Sequence, residues 1–420
     1  MKLGEKVKYF RKMRKLSQKD LAEGICSISY LSKIENCTTE PSEEIGIFLG
    51  KRLDIDLYNT SYSKRKEEYK SLFYHLYNRD KFESEIAYRE LLNARIDHTE
   101  DSILLNIFKS MYLLLMSQNT NEATRLINEV SYLNDGAKSE KSFYYFIVKG
   151  LRDYYLNDFK EALNSFKKAE EVIEIFQYHS WEKGYLYYLI SLTANRLWKN
   201  SMCLDYAKLA LNIFEKRYDF KRCADSRILL GIVYQRFENW VESHKHFKMA
   251  ESVANAFNDN FLKGAIYQNL GYNESKKGNS EGALSLYNIS LELKKDQPVE
   301  TKTSTLFTLI REYLKFGEFS KCRKRVLDGL SLVRENPNLY EYQLHFNHYF
   351  NILEYGACSE VTTTYLVENV IPYLEGKNES TYQVEYLQLV GEYFEHEKKY
   401  KLSSQYYLKA LNIYKKYNQG

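Results

Sequence analysis

The chain has 420 residues, with 60 Lys plus Arg against 56 Asp plus Glu, a formal charge of +4, four prolines and 18 glycines. That length buries several small cores, the scarcity of helix breakers points to a nearly all-helical chain, and the small net charge singles out no partner by itself. The densest apolar runs, Met111–Met116 and Phe143–Val148, fall far short of the ~20 residues of a membrane span, and Met-Lys-Leu-Gly-Glu-Lys at the start lacks an apolar signal core. A cytoplasmic protein with no membrane partner is therefore expected.

The six cysteines (Cys26, Cys37, Cys203, Cys223, Cys322 and Cys358) include no CxxC pair, so buried reduced thiols are expected, without a disulfide or metal site. Charge is uneven along the chain. Eight of the first 19 residues are basic and one is acidic, which suits a localised phosphate contact.

Leu3, Val7 and Phe10 recur at helical spacing in a first helix. Ser17 with Asp20 reads as an N-cap in a capping-box position, and Leu21-Ala22 form the buried side of a second helix, which Gly24 breaks. Ser27 opens a third helix with Leu31 and Ile34 inward and Ser27, Ile28, Ser29, Tyr30 and Lys33 outward. Pro41-Ser42-Glu43-Glu44 starts a fourth, whose apolar stripe is expected from Ile45, Phe48 and Leu49. Two short helices around a tight turn make a unit whose second helix can enter the major groove.

Leu3-Gly4-Glu5-Lys6, Arg11, Leu16-Ser17-Gln18, Leu21-Ala22, Leu31-Ser32-Lys33-Ile34-Glu35 and Pro41-Ser42 resemble the phage-repressor (XRE/Cro) helix-turn-helix family. The resemblance implies a double-stranded DNA operator as partner. Gln18 and Lys19 would touch phosphate or a base edge, and Ser27, Ser29, Tyr30 and Lys33 would read bases or nearby phosphates. Between Ala22 and Glu35 the chain is one residue shorter than the common pattern, which implies a tighter turn at Gly24-Ile25 and leaves the reading register open by one position.

Behind this reader the sequence repeats. Leu230-Gly231, Tyr234, Phe247 and Ala250 fit the tetratricopeptide template, which has a small residue where two helices pack closely and large residues at set offsets; so do Leu270-Gly271, Ala283 and Tyr287, then Gly150, Ala162, Phe166 and Ala169, and Gly391, Tyr407 and Ala410. Equivalent first-helix positions fall at Phe73, Met111, Gly150, Ser191, Gly231, Gly271, Ile310, Phe350 and Gly391, stepping by 38 to 41 where the standard repeat steps by 34. Pro298 and Pro337 each fall where a second helix should stop. The expected fold is all-α: a helix-turn-helix domain over 1–58, a linker over 59–64, and a right-handed α-solenoid of about nine repeats over 65–420.

No phosphate loop, HExxH or nucleophile elbow is present, and no cofactor is expected. The pairs His244/His246 and His345/His348 read as solvated or packed rings, and most Tyr and Phe as packing. The template places Asn195, Arg196, Gln235, Arg236, Gln268, Asn269, Arg311, Asn347 and Asn351 on the concave wall. Amide side chains both donate to and accept from a peptide backbone, and arginines take carboxylates. These nine are the candidate peptide-binding residues.

A reader of this type before about nine such repeats resembles the RNPP family of Gram-positive peptide receptors, and most of all its NprR branch, with the shorter PlcR and the reader-less Rap proteins as relatives. The resemblance implies a quorum-sensing transcriptional regulator, not an enzyme. It would bind a short re-imported signalling peptide in the groove, associate with itself as a dimer or higher oligomer, and so change its hold on DNA. It also implies, as the alternative, Rap-like binding of a sporulation response regulator.

Overall fold

The computed structural model describes residues 3–55, 57–58, 66–93, 99–131, 139–176, 178–376 and 381–418; the expected linker at 59–64 lies outside them. Every regular element among the described residues is helical. The reader is α1 (Leu3–Met13), α2 (Gln18–Ala22), α3 (Ile28–Glu35) and α4 (Glu43–Leu53). Val7, Phe10, Leu21, Ala22, Leu31, Ile34, Leu49 and Leu53 form its buried core. Ser17 caps α2 in a full capping box with Asp20, Ser27 caps α3 and Ser42 caps α4. Gly24, at φ +69°, turns the chain between α2 and α3.

One expectation about α4 fails. Phe48 is 47% exposed, and the inward face is Gly46, Leu49, Gly50 and Leu53. The two glycines are the reason. A Cβ at Gly46 would lie 2.0 Å from the Tyr58 hydroxyl and one at Gly50 2.7 Å from the Ile55 carbonyl, so the returning chain packs against bare backbone there.

Nine successive helix pairs follow among the described residues. They are α5 (Lys66–Tyr77) with α6 (Lys81–Asn93); α7 (Thr99–Tyr112), extended by a π-helical turn at Leu113–Ser117, with α8 (Thr120–Ser131); α9 (Glu140–Tyr155) with α10 (Phe159–Ile173); and α11 (Ser180–Arg196) with α12 (Asn200–Lys216). Next come α13 (Phe220–Arg236) with α14 (Trp240–Ala256), α15 (Asn260–Lys276) with α16 (Ser280–Leu293), and α17 (Val299–Phe316) with α18 (Phe319–Arg334). In the eighth pair α19 (Tyr340–Tyr355) meets a second member broken into α20 (Glu360–Tyr365), a π-helical turn and α21 (Ile371–Gly376); α22 (Thr381–His396) and α23 (Tyr400–Asn418) close the array. Helices α12 to α15 have 17 residues each, and two such helices with two short turns account for a step near 40.

Four of the pairs are keyed by a ring against a glycine. A Cβ on Gly150 would sit 2.4 Å from Phe166, on Gly231 2.6 Å from Phe247, on Gly271 2.7 Å from Tyr287, and on Gly391 2.8 Å from Tyr407. Phe166 and Phe247 are fully buried, each worth roughly 1.5–3 kcal/mol of burial. The turns inside eight of the nine pairs share one construction. Arg79, Gln118, Asn157, Trp198, Glu238, Gly278, Gly317 and Lys398 all have φ between +52° and +83°. The residue after each sends its N–H back to the first helix, as Asp158 does to Asp153 (2.9 Å) and Asn239 to Tyr234 (2.9 Å). In several pairs the same residue then caps the second helix: Asp80 accepts from Glu83 N, Asn119 from Glu122, Asp158 from Glu161, Asn239 from Glu242 and Asn279 from Gly282.

The described residues cluster into two compact units, 1–193 and 194–420. The first holds the reader together with the opening pairs. Tyr9 of α1, 2% exposed, places its hydroxyl 2.6 Å from Ser102 of α7, and Ser102 also reaches Met13. No described helix is long and apolar enough to cross a membrane. Cys203, Cys223 and Cys322 are buried thiols, whereas Cys358 is exposed.

Candidate functional site

In the reader, Arg11 closes a fork on Glu35, with Nε at 2.5 Å and Nη2 at 2.9 Å, while its Nη1 donates to the Leu16 carbonyl. Gln18 donates to the same carboxylate at 2.9 Å. Burial works to raise the Glu35 carboxyl, but Arg11 and Gln18 hold it below its ordinary range. This buried network fixes α1, α2 and α3 together. It also gives Gln18 a structural task beside the contact expected of it, since its amide N–H already points inward.

Lys19, Ser27, Ser29 and Lys33 are exposed, Ile28 is 48% exposed, and Tyr30 is half-buried with its hydroxyl 3.5 Å from the Glu40 carbonyl. Leu31 and Ile34 are fully buried on the opposite face of α3. The helix thus presents hydroxyls, an ammonium and one apolar group outward on a short, capped element, a surface suited to base edges and phosphates.

The repeat residues divide into two groups. Gln235, 8% exposed, donates to Asn273 Oδ1 (2.7 Å) and to the Asn269 carbonyl (3.0 Å), and Asn273 donates in turn to Ser243 (3.0 Å). Arg236 donates to the Asn195 carbonyl (3.1 Å) and Asn200 (2.9 Å) and stacks 3.8 Å over the Trp198 ring; burial pulls its pKa down to about 10. Gln268 donates to Ser304 (3.1 Å) and accepts from Lys294 and from Thr305 (2.9 Å). Gln235, Arg236 and Gln268 therefore tie neighbouring helices to each other. The hydrogen bonds these three make lie within the wall.

The second group keeps polar surface. Asn195 is half-buried, and its Oδ1 is enclosed without a hydrogen-bond partner among the described residues; Arg196 is exposed. Asn269 is half-buried, with Nδ2 bonded to the Ala265 carbonyl one turn back (2.9 Å). Asn347 and Asn351 are half-buried on α19, and Asn347 lines a cavity of about 280 Å³ with Leu330, Val333, Arg334, Pro337 and Gln343. Arg311 of α17 meets Glu385 of α22 at 2.6 Å, with its guanidinium 5.5 Å from the ring centroids of Phe307 and Tyr382.

Sequence reasoning missed Asn273, Lys294 and Glu385. Lys294 is 4% exposed, its Nζ bonds only neutral groups among the described residues, Gln268 and Thr305 (2.9 Å), and burial pulls its pKa down to about 8. Gly264 makes room for it, since a Cβ there would lie 2.9 Å from the Lys294 stem. No spacing in the sequence marks that cradle. The paired histidines are packed rings: His345 bonds the Tyr386 hydroxyl through Nδ1 (2.7 Å) and stacks on Phe307, His348 lies beside Tyr386, and His246 stacks on Tyr234.

Comparison with known proteins agrees with this architecture. A helix-turn-helix family model matches residues 7–58. The transcriptional activator NprA of Geobacillus stearothermophilus is 32% identical over 406 residues, covering 94% of this chain and 99% of its own. Among solved structures, a Rap protein complexed with competence and sporulation factor superposes with a TM-score of 0.73 at 15% identity, over 85% of this chain and 99% of that one. NprR with its cognate peptide NprX superposes with a TM-score of 0.67 at 18% identity, over 84% and 100%. At those identities the two structures establish the fold.

Proposed function

Since the chain belongs to the RNPP family, matching a transcriptional activator along nearly the whole of both chains, we propose that it is a peptide-responsive transcription regulator acting in the cytoplasm. Its operator is read by α3 through Ser27, Ser29, Tyr30 and Lys33, with Lys19 on phosphate. A short peptide lies along the first-helix wall of residues 194–420, its backbone held by Asn195, Asn269, Asn347 and Asn351 and a carboxylate by Arg311; Arg196 adds positive charge. The observation that carries this reading is the pairing, in one chain, of a capped reader presenting a polar outer face with a repeat array whose wall keeps half-buried amides and an enclosed, unpaired Asn195 oxygen. NprR, of the same fold, was solved with a peptide bound.

One reader of this size covers few base pairs, so binding is proposed to be by a dimer on an inverted repeat, held through the repeats. The role proposed is binding, not catalysis. The test is fluorescence polarisation of labelled DNA from around its own gene, with and without synthetic heptapeptides encoded in small reading frames beside it. Peptide should change the DNA affinity, and Asn269→Ala should weaken the peptide roughly 5- to 150-fold, as expected for ~1–3 kcal/mol from an unpaired amide. No peptide effect on DNA, or wild-type peptide affinity in Asn269→Ala, refutes the reading. A sporulation response regulator is the second proposed partner; co-elution with the peptide-free protein tests it.

A further inference from the structure

Arg311 and Glu385 are 74 residues apart in sequence, on the first helices of the seventh and ninth pairs, so their contact reaches past α19. The two rings flanking the guanidinium, Phe307 and Tyr382, also touch each other edge to face at 5.0 Å. Two first helices therefore meet here, and an arginine lies beside two aromatic rings with an N–H turned to an acid. Both side chains keep about a third of their surface in water, at 35% and 39%. This is a reachable site.

The contact to the acid is thin. Glu385 accepts one hydrogen bond, from Nη2, where a guanidinium and a carboxylate can make two in parallel. No other hydrogen bond to the Glu385 carboxylate is made among the described residues. The reader's Arg11–Glu35 pair is built differently: two bonds from Arg11, a third from Gln18, and a carboxylate side chain only 1% exposed. Glu35 is locked, whereas Glu385 can swing into solvent by breaking a single bond.

We propose that Arg311 is the carboxylate seat of the ligand wall and that Glu385 is its resident competitor, so that uptake selects ligands whose own carboxylate displaces Glu385. The inference rests on the peptide-binding reading and specifies the ligand class: a short peptide presenting a free carboxylate, from its C-terminus or from an acidic side chain. A neutral peptide leaves Glu385 in place and gains nothing at this end of the wall. A ligand carboxylate takes both parallel donors and the shelter of Phe307 and Tyr382.

The test uses the full chain and small probes, so it does not need the natural peptide. Binding of N-acetyl-alanyl-alanine, its C-terminal amide, and N-acetyl-aspartic acid α-amide, which keeps its side-chain carboxylate, is measured by saturation-transfer NMR titration. In Glu385→Gln, one carboxylate probe should bind at least about tenfold tighter than in wild type, the dialanine if the seat takes a C-terminus and the aspartyl probe if it takes a side chain. The amide should be unchanged, and Arg311→Gln should abolish the gain when combined with Glu385→Gln. Glu385→Asp, whose carboxylate is too short to reach, should repeat the effect and covers the case in which the glutamine variant is poorly folded. No gain in either variant, or an equal gain for the amide, overturns the proposal. Probe binding that behaves as expected while no heptapeptide affects DNA would instead overturn the peptide reading and leave a carboxylate receptor.

Discussion

Replacing Gly231 by alanine measures how tightly a helix pair is keyed. The added Cβ would stand 2.6 Å from both Cε1 and Cζ of Phe247, where carbon atoms rest at about 3.5–4.0 Å, so the ring must retreat by about 1 Å. It has no free space to enter: Phe247 is 0% exposed and packs with Ala224, Ala250, Ala254, Ile266 and Leu270. Overpacking of this kind costs about 1–3 kcal/mol, and a full 1 Å belongs in the upper half of that range. Alanine returns about 1 kcal/mol of helix propensity. The net expectation is a loss of about 1–2 kcal/mol, read as a lower urea midpoint by circular dichroism. Phe247→Leu in the same chain should cost less in the Gly231→Ala background than alone, because the smaller side chain vacates the contested space. Gly278→Ala is the control. Nothing lies within 4 Å of its Cβ, but φ is +83°, so it should lose about 1–2 kcal/mol with no ring substitution able to rescue it. A Gly231→Ala protein as stable as wild type would refute the keyed packing.

Tyr30→Ala with Lys33→Ala should lose specific DNA binding by several kcal/mol at about 1–3 per good base contact, with helicity unchanged; a normal mobility shift would place the reading face elsewhere. Lys294 carries a pH dependence. Its folded pKa, about 8, lies below the ~10.4 of an unfolded lysine, so between those values the unfolded chain holds the extra proton and stability rises with pH. Wild type should gain up to about 3 kcal/mol between pH 7 and 10.5 relative to Lys294→Met; parallel stability curves would show that Lys294 is not buried as a cation. Tyr9→Phe removes the hydroxyl bonded to Ser102 and should cost about 1 kcal/mol, raising amide exchange along α1 and α7; exchange changed in neither helix would show that the contact holds nothing.

The keyed pairs and the helix caps were legible because both are local grammar. Gly231 and Phe247 are 16 residues apart in one helical hairpin, and Ser17 meets Asp20 within a turn. The wall was legible only by face. Gln235, four residues after Gly231, points into the seam between α13 and α15, while Asn269, two residues before the equivalent Gly271, stays half-buried with its amide on its own helix. Which of these positions meets a neighbouring helix is set by how the first helices pack against one another, which no single repeat encodes. Tyr9 meeting Ser102 across 93 residues, and Lys294 threading over Gly264, belong to the same class of lateral contacts. Phe48 was misplaced because two glycines, not its neighbouring apolar residues, define the inner face of α4.

The shared turn has a consequence for how such a chain can vary in length. At Asp158 or Asn239 a single residue finishes one helix with its N–H and begins the next with its side chain, leaving no slack between them. One residue inserted there would separate the two tasks, and one inserted within a helix would turn everything beyond it by about 100°. Length is therefore quantised. The array can grow or shrink by whole pairs of about 40 residues, each arriving with its own clasp, and small insertions are confined to places outside these clasps.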